Sequence, residues 1–91
     1  MVIWKFNLKI TDRQTVEMPF GANILSVQEQ SGTLHLWAIV NPYAEQERRL
    51  IEIVGTGNPM ADVDKEDLAR FHIATVQTRG GALVWHVFEL L

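Results

Sequence analysis

Three histidines, His35, His72 and His86, are the residues of this 91-residue chain best equipped for proton transfer or metal ligation. His35 and His86 each fall in a segment that is apolar on both sides, "TLHLWAIV" and "ALVWHVFEL". If those segments are neighbours, the two imidazoles share a face with Trp37 and make either a metal pair or a stacking pocket. The spacing argues against a metal, because no H-x-H or H-x-x-x-H pair exists and a zinc site takes three or four ligands. A histidine satisfied by one backbone carbonyl explains the same pattern. No metal or cofactor is expected, and His35, Trp37 and His86 stand as a candidate ligand or interface pocket.

The segment "MADVDKEDLAR" gathers Asp62, Asp64, Glu66 and Asp67. A calcium loop of the EF-hand type starting at Asp62 would need glycine at its sixth position and glutamate at its twelfth; Asp67 and Ile73 stand there. The cluster therefore reads as a solvated, mobile acidic loop. Exposed carboxylates of this kind can imitate nucleic-acid phosphates towards a basic partner, so the four residues form a candidate protein-contact loop.

Nucleophilic catalysis has little material. Ser26 and Ser31 are the only serines and neither lies in G-x-S-x-G. Glu17, Glu29 and Glu52 are isolated carboxylates on strands whose other faces are apolar. No catalytic residue is assigned, and the chain is not read as an enzyme.

The stretch "GTGNPM" could wrap a phosphate, but such a loop needs a helix to start directly after the glycines and, in its commonest form, a lysine. Asn58, Pro59 and an acidic run follow instead. Gly55 and Gly57 are expected to end the strand "RLIEIV" in a bulge or tight turn, with Pro59 stiffening the exit into the acidic loop. Trp4, Trp37 and Trp85 are many for this length. With Arg13, Arg48, Arg49, Arg70 and Arg79 they could stack a base and clamp a phosphate. Trp4 and Trp85 fall on inward faces and read as core; Trp37 shares its face with His35 and is the best interface candidate.

The elements that must position these side chains are strands. "IWKFNLKI" alternates Trp4, Phe6, Leu8 and Ile10 against Lys5, Asn7 and Lys9. "QTVEMP" turns Val16 and Met18 inward and stops at Pro19. "NILSVQEQ" and "TLHLWAIV" form a hairpin about Ser31-Gly32, and "FHIATVQ" and "ALVWHVFEL" form another about "TRGG". The two doubly apolar return arms read as central strands, covered above and below. The expected fold is all-β: one domain over residues 1–91, a compact antiparallel β-sandwich or small barrel of six to seven strands with at most one short helical turn.

Composition narrows the classes further. Apolar residues make 47% and charged residues 21% of the chain, the balance of a globular protein. The absence of cysteine removes disulfides, thiolate zinc sites and thiol catalysis, and fits a reducing cytosol. A net charge of −3 with eight scattered basic residues disfavours generic nucleic-acid binding. No apolar run is long enough for a membrane span, and the first residues lack the core of a signal peptide.

The ordered pieces D-R-Q, M-P-x-G-A-x-I-L-S-V-Q, L-W-A, G-T-G-x-P and V-x-H-V-F-E run through nearly the whole chain. In this pattern the sequence resembles a family of small bacteriophage and prophage proteins, about 90 residues long and of unknown function. The resemblance implies a setting, the cytoplasm of an infected bacterium, and transfers no catalytic or binding residue. In that setting the leading expectation is a non-enzymatic binder that inhibits a host protein, such as a CRISPR-type or other anti-phage defence component, through its acidic loop and edge strands. A second is a sponge for a nucleotide immune signal, held between aromatic and arginine side chains at a homo-oligomer interface. A third is a minor virion or assembly protein repeated by edge-strand or apolar-face pairing.

Overall fold

A computed structural model describes residues 1–91. The alternating segments form seven antiparallel strands: β1 (Val2–Leu8), β2 (Arg13–Pro19), β3 (Asn23–Gln30), β4 (Thr33–Val40), β5 (Gln46–Gly55), β6 (Arg70–Thr78) and β7 (Leu83–Leu90). Two short 3-10 turns, Val63–Glu66 and Arg79–Gly81, are the only helical residues. The strands divide into a three-stranded sheet of order β1-β4-β3 and a four-stranded sheet of order β2-β5-β7-β6. The architecture is the all-β, two-layer one that the period-two alternation predicts.

Local chemistry fixes the hairpins. Ser31 and Gly32 both take positive φ between Gln30 and Thr33, as a two-residue type I′ connection demands, and Glu29 Oε1 accepts the Gly32 N–H at 2.6 Å. Leu34, Leu36, Ala38 and Val40 of β4 then face Ile51 and Ile53 of β5, Val87 of β7, and Val16 and Met18 of β2 in a single buried cluster. Burying side chains of this kind stabilises a fold by about 2 kcal/mol each. The closest approach between the sheets runs along β3 and β6. Both strands are bulged there, β3 between Ile24 and Ser26 and β6 between His72 and Ala74. The first bulge reverses the alternation of β3, so that Val27 turns inward while Ser26 and Gln28 turn outward.

The chain crosses between the sheets three times, and at the second crossing, Phe20–Ala22, two side chains of β5 catch it. Glu47 Oε2 accepts the Gly21 N–H at 2.8 Å, and Arg49 donates to the Ala22 carbonyl at 2.9 Å. Arg49 also forks onto Glu89 of β7, whose side chain is buried at the margin of the core.

Three details depart from the sequence reading. Ile10 lies beyond the end of β1 and is exposed, because the strand stops at Leu8. Trp4 occupies the inward side of β1 but stays 38% exposed, since β1 is the outer strand of its sheet and overhangs the layer beneath. No second sheet covers the outward faces of β4 and β7; His35 and Trp37 of β4 and Val84 and His86 of β7 are covered only by neighbouring side chains, while the Phe88 end of β7 lies under Arg70. Both strands are nonetheless central in their sheets, which accounts for their two apolar faces.

Candidate functional site

The end of β5 carries the densest polar chemistry. The Asn58 N–H donates to the Gly55 carbonyl at 3.1 Å, closing a four-residue turn with Gly57 at φ +89 in its third position. That is the conformation a type II turn reserves for glycine. Gly55 is needed for a different reason: a Cβ there would stand 2.9 Å from Asn58 Nδ2 and 3.2 Å from the Trp85 ring. Thr56, between the glycines, points its hydroxyl at His86 Nε2, 2.7 Å away. His86 Nδ1 meets Thr75 Oγ1 at 3.1 Å, and Thr75 Oγ1 meets His72 Nε2 at 3.0 Å. The single Thr75 proton can serve only one imidazole, so at least one of the two histidines donates to Thr75 Oγ1. This chain staples the turn to β7 and β6. Both ring nitrogens of His86 meet threonine hydroxyls, so the Thr56–His86 pair lacks the carboxylate that orients the base of a catalytic triad.

Past Pro59 the acidic segment folds onto the outer face of the four-stranded sheet. Val63 is buried there, Asp62 accepts the Asp64 N–H at 3.2 Å as the cap of the 3-10 turn, and Asp67 closes it at φ 57. Glu66 turns back and receives both Arg13 Nη1 and Nη2 at 2.7 Å. Beneath, Glu52 is only 3% exposed and takes Arg70 Nε at 2.6 Å and Nη2 at 3.1 Å, with Arg13 Nε at 3.9 Å. Arg70 adds a bond to the Ala61 carbonyl at 2.9 Å and lies 5.6 Å over the Phe88 ring. Arg13, Glu52, Arg70 and Glu66 thus form one network that clamps the segment down. The segment read as mobile is anchored at its apolar residue and at one of its four carboxylates, while Asp62, Asp64 and Asp67 remain exposed. Beside the turn opens a groove of about 540 Å³, lined among others by Ile10, Asp12, Arg13, Asn58, Met60 and Trp85.

The hydrogen bonds from Arg13 hold the Glu66 carboxyl below its ordinary pKa, with the positive charges of Arg13 and Arg70 adding to the effect. Because the folded value is depressed, the clamp contributes fully above the ordinary carboxylate range and is lost as pH falls through the lowered value. The melting temperature of wild type is therefore expected to exceed that of Glu66→Gln at pH 7, and the gap to close in strong acid. A gap independent of pH would show that the carboxylate is not what holds the turn.

His35 and Trp37 lie elsewhere. They share the outer face of the three-stranded sheet, with ring centroids 5.9 Å apart, whereas His86 is on the outer face of the other sheet. The pocket expected from His35, Trp37 and His86 does not assemble, because β4 and β7 belong to different sheets and turn these faces away from one another. Around Trp37 stand Ser26, Gln28 and Gln30. Lys5 Nζ reaches Gln30 Oε1 at 2.8 Å. Since Lys5 is opposite Trp37 and Gln30 opposite Thr33, that bond crosses β4 above His35 and explains its burial. Nδ1 of His35 is left buried without a hydrogen-bond partner. Four of the five arginines expected to join the tryptophans in a phosphate clamp are engaged with carboxylates instead: Arg13 with Glu66, Arg48 with Glu17, Arg49 with Glu89 and Arg70 with Glu52; Arg79 makes no ion pair.

Sequence reasoning missed the part played by Arg13, Glu52, Arg70, Thr56 and Thr75. The one local signal was Glu52 itself, a carboxylate between Ile51 and Ile53 in a strand that is otherwise half apolar. A family model described as "Domain of unknown function (DUF7352)" matches residues 1–91. No curated protein and no solved structure matches the chain.

Proposed function

Starting from the chain's membership of the DUF7352 family over residues 1–91, we propose that it is a non-enzymatic binding protein. Its contact surface is the clamped acidic turn and the groove beside it. One observation carries this reading: Asp62, Asp64 and Asp67 are held outward by a turn fixed through Val63 and Glu66, next to a concavity containing Ile10, Met60 and Trp85. A rigid acidic rim binds without the cost of ordering a loop, and an apolar floor gives a partner's anchor side chain somewhere to sit. The matching partner is a protein segment with an apolar side chain flanked by lysine or arginine.

The resemblance to small phage and prophage proteins supplies the biological half of the proposal. The partner is a host bacterial protein, of the anti-phage defence class, met in the cytoplasm of the infected cell. Exposed carboxylates suit such a target, because nucleases and nucleic-acid-guided effectors present basic surfaces.

The test is capture from bacterial lysate, followed by identification of the bound protein. The variant Asp62→Asn, Asp64→Lys, Asp67→Asn removes the acidic rim while keeping the cap acceptor and a residue that tolerates positive φ. Its stability is expected to stay within about 0.5 kcal/mol of wild type. Capture is expected to fall at least about tenfold and to weaken with added salt. Capture unchanged in this variant would overturn the assignment of the surface. A captured protein whose loss does not restore the growth of phage lacking this chain would overturn the assignment of the target.

A further inference from the structure

A sheet edge exposes a row of unpaired backbone N–H and C=O groups, and proteins usually blunt such edges with charge, proline, bulges or cover. This fold has four edge strands: β1, β3, β2 and β6. β3 and β6 carry bulges and lie against each other across the layers. β2 carries Arg13 and Glu17 and ends in Pro19, which has no N–H. Only β1 is left open. It pairs with β4 without interruption from Val2 to Leu8, and it contains no bulge, proline or acidic residue. Its one charged side chain, Lys5, is drawn across its own sheet to Gln30 rather than guarding the edge. Its apolar residues are exposed on both faces: Val2 43% and Trp4 38% on the inward side, Ile3 60% on the outward side.

We infer that β1 is a homodimer interface, in which β1 of a second copy pairs antiparallel about a two-fold axis and joins the two three-stranded sheets into one of six strands. The register follows from the strand itself. Directly opposed residues of an antiparallel pair share a face, so the axis must pass at a residue and not between two. An axis at Lys5 would oppose two ammonium groups, which is unfavourable. An axis at Trp4 opposes Trp4 with Trp4, Val2 with Phe6 and Ile3 with Lys5. That arrangement covers the overhanging indole with its symmetry mate, puts an aromatic pair at the centre of the interface and keeps the lysines apart. A self-complementary strand of this kind selects a second copy of the chain as its partner.

Sedimentation of the wild-type protein is expected to give about twice the 10.4 kDa chain mass at micromolar concentration. Trp4→Lys, which places two ammonium groups at the axis, is expected to give the single-chain mass with an unchanged β-sheet circular dichroism spectrum. The chain has no cysteine, so single-cysteine variants report the register directly. Trp4→Cys is expected to oxidise to a covalent dimer, because directly opposed residues lie within disulfide reach. Phe6→Cys alone is not, since the two copies of residue 6 would stand about 14 Å apart along the strands. Phe6→Cys mixed with Val2→Cys is expected to cross-link. A single-chain mass for wild type, or a dimer that persists in Trp4→Lys, would overturn the interface. Cross-linking of Phe6→Cys alone as fast as Trp4→Cys would overturn the register, and the cysteine series decides the matter even if Trp4→Lys does not fold.

Discussion

Glu52→Ala is expected to destabilise the protein by about 3 kcal/mol and to loosen the acidic turn at the same time. Glu52 is almost fully buried and is the shared counter-charge of Arg70 and Arg13. Removing it leaves two guanidinium groups side by side, each weakening the other, held by Glu66, the Ala61 carbonyl, the Phe88 ring and the charge of Asp62. Breaking a buried pair by deleting one partner costs about 3–5 kcal/mol. The lower end applies here, because both arginines keep an exposed edge through which water can reach them. Denaturant midpoints measure the global loss. Hydrogen exchange at the Leu68 N–H, which donates to the Val63 carbonyl at 3.0 Å, reports the turn separately. Glu52→Gln keeps the shape and an acceptor, and should lose less. A stability loss below about 0.5 kcal/mol in Glu52→Ala would mean that the network does not hold the turn. If the acidic turn is the contact surface, Glu52→Ala also weakens partner capture while leaving Asp62, Asp64 and Asp67 in place.

The second large effect is expected at the other buried carboxylate. Glu89 is 7% exposed and is gripped by Arg49, which also holds the Ala22 carbonyl where the chain passes from one sheet to the other. Glu89→Ala leaves the Arg49 guanidinium at the margin of the core with only the Ala22 carbonyl and Glu47, 3.7 Å away, and is expected to cost about 3 kcal/mol. Arg49→Ala strands Glu89 and frees the crossover, with a similar or larger loss. The double variant Arg49→Met, Glu89→Leu replaces the pair by apolar groups and is expected to recover most of that stability, because the cost of desolvating two charges disappears along with their attraction. A double variant as unstable as the sum of the single ones would mean that the bond from Arg49 to the Ala22 carbonyl, not the ion pair, supplies most of the stabilisation. Unlike Glu52, Glu89 lies away from the acidic turn, so the Arg49→Met, Glu89→Leu protein should capture its partner normally.

These two ion-pair sites also separate what was readable in the sequence from what was not. The strands were readable because side-chain alternation is local: Leu34, Leu36, Ala38 and Val40 declare a buried face by their own spacing. So were both hairpins, since turn chemistry acts over two to four residues; Ser31-Gly32 and Arg79-Gly80-Gly81 adopt positive φ where the chain reverses. The turn at Gly55–Asn58 is local in the same sense. The acidic run was legible as composition, but not its division into three outward carboxylates and one clamped one.

That division depends on Arg13, which meets Glu66 across 53 residues of chain, and on Arg70, which meets Glu52 across 18. No periodicity records such a meeting. Nor could spacing tell that the strands of His35 and His86 go to different sheets, because each is a central, doubly apolar strand and would look the same in either layer. The exposure of Trp4 was hidden for a related reason: the alternation says which side of β1 faces inward, whereas the number of strands beneath it decides whether anything is there to cover it. The sequence by itself determined the strands, their inward faces and their tight turns, because those follow from neighbours a few residues apart. Only the tertiary structure decided which strands pair, which charges neutralise one another and which apolar edge stays open. Those outcomes come from contacts between distant segments, whose energies appear only once the two sheets have closed on their common core.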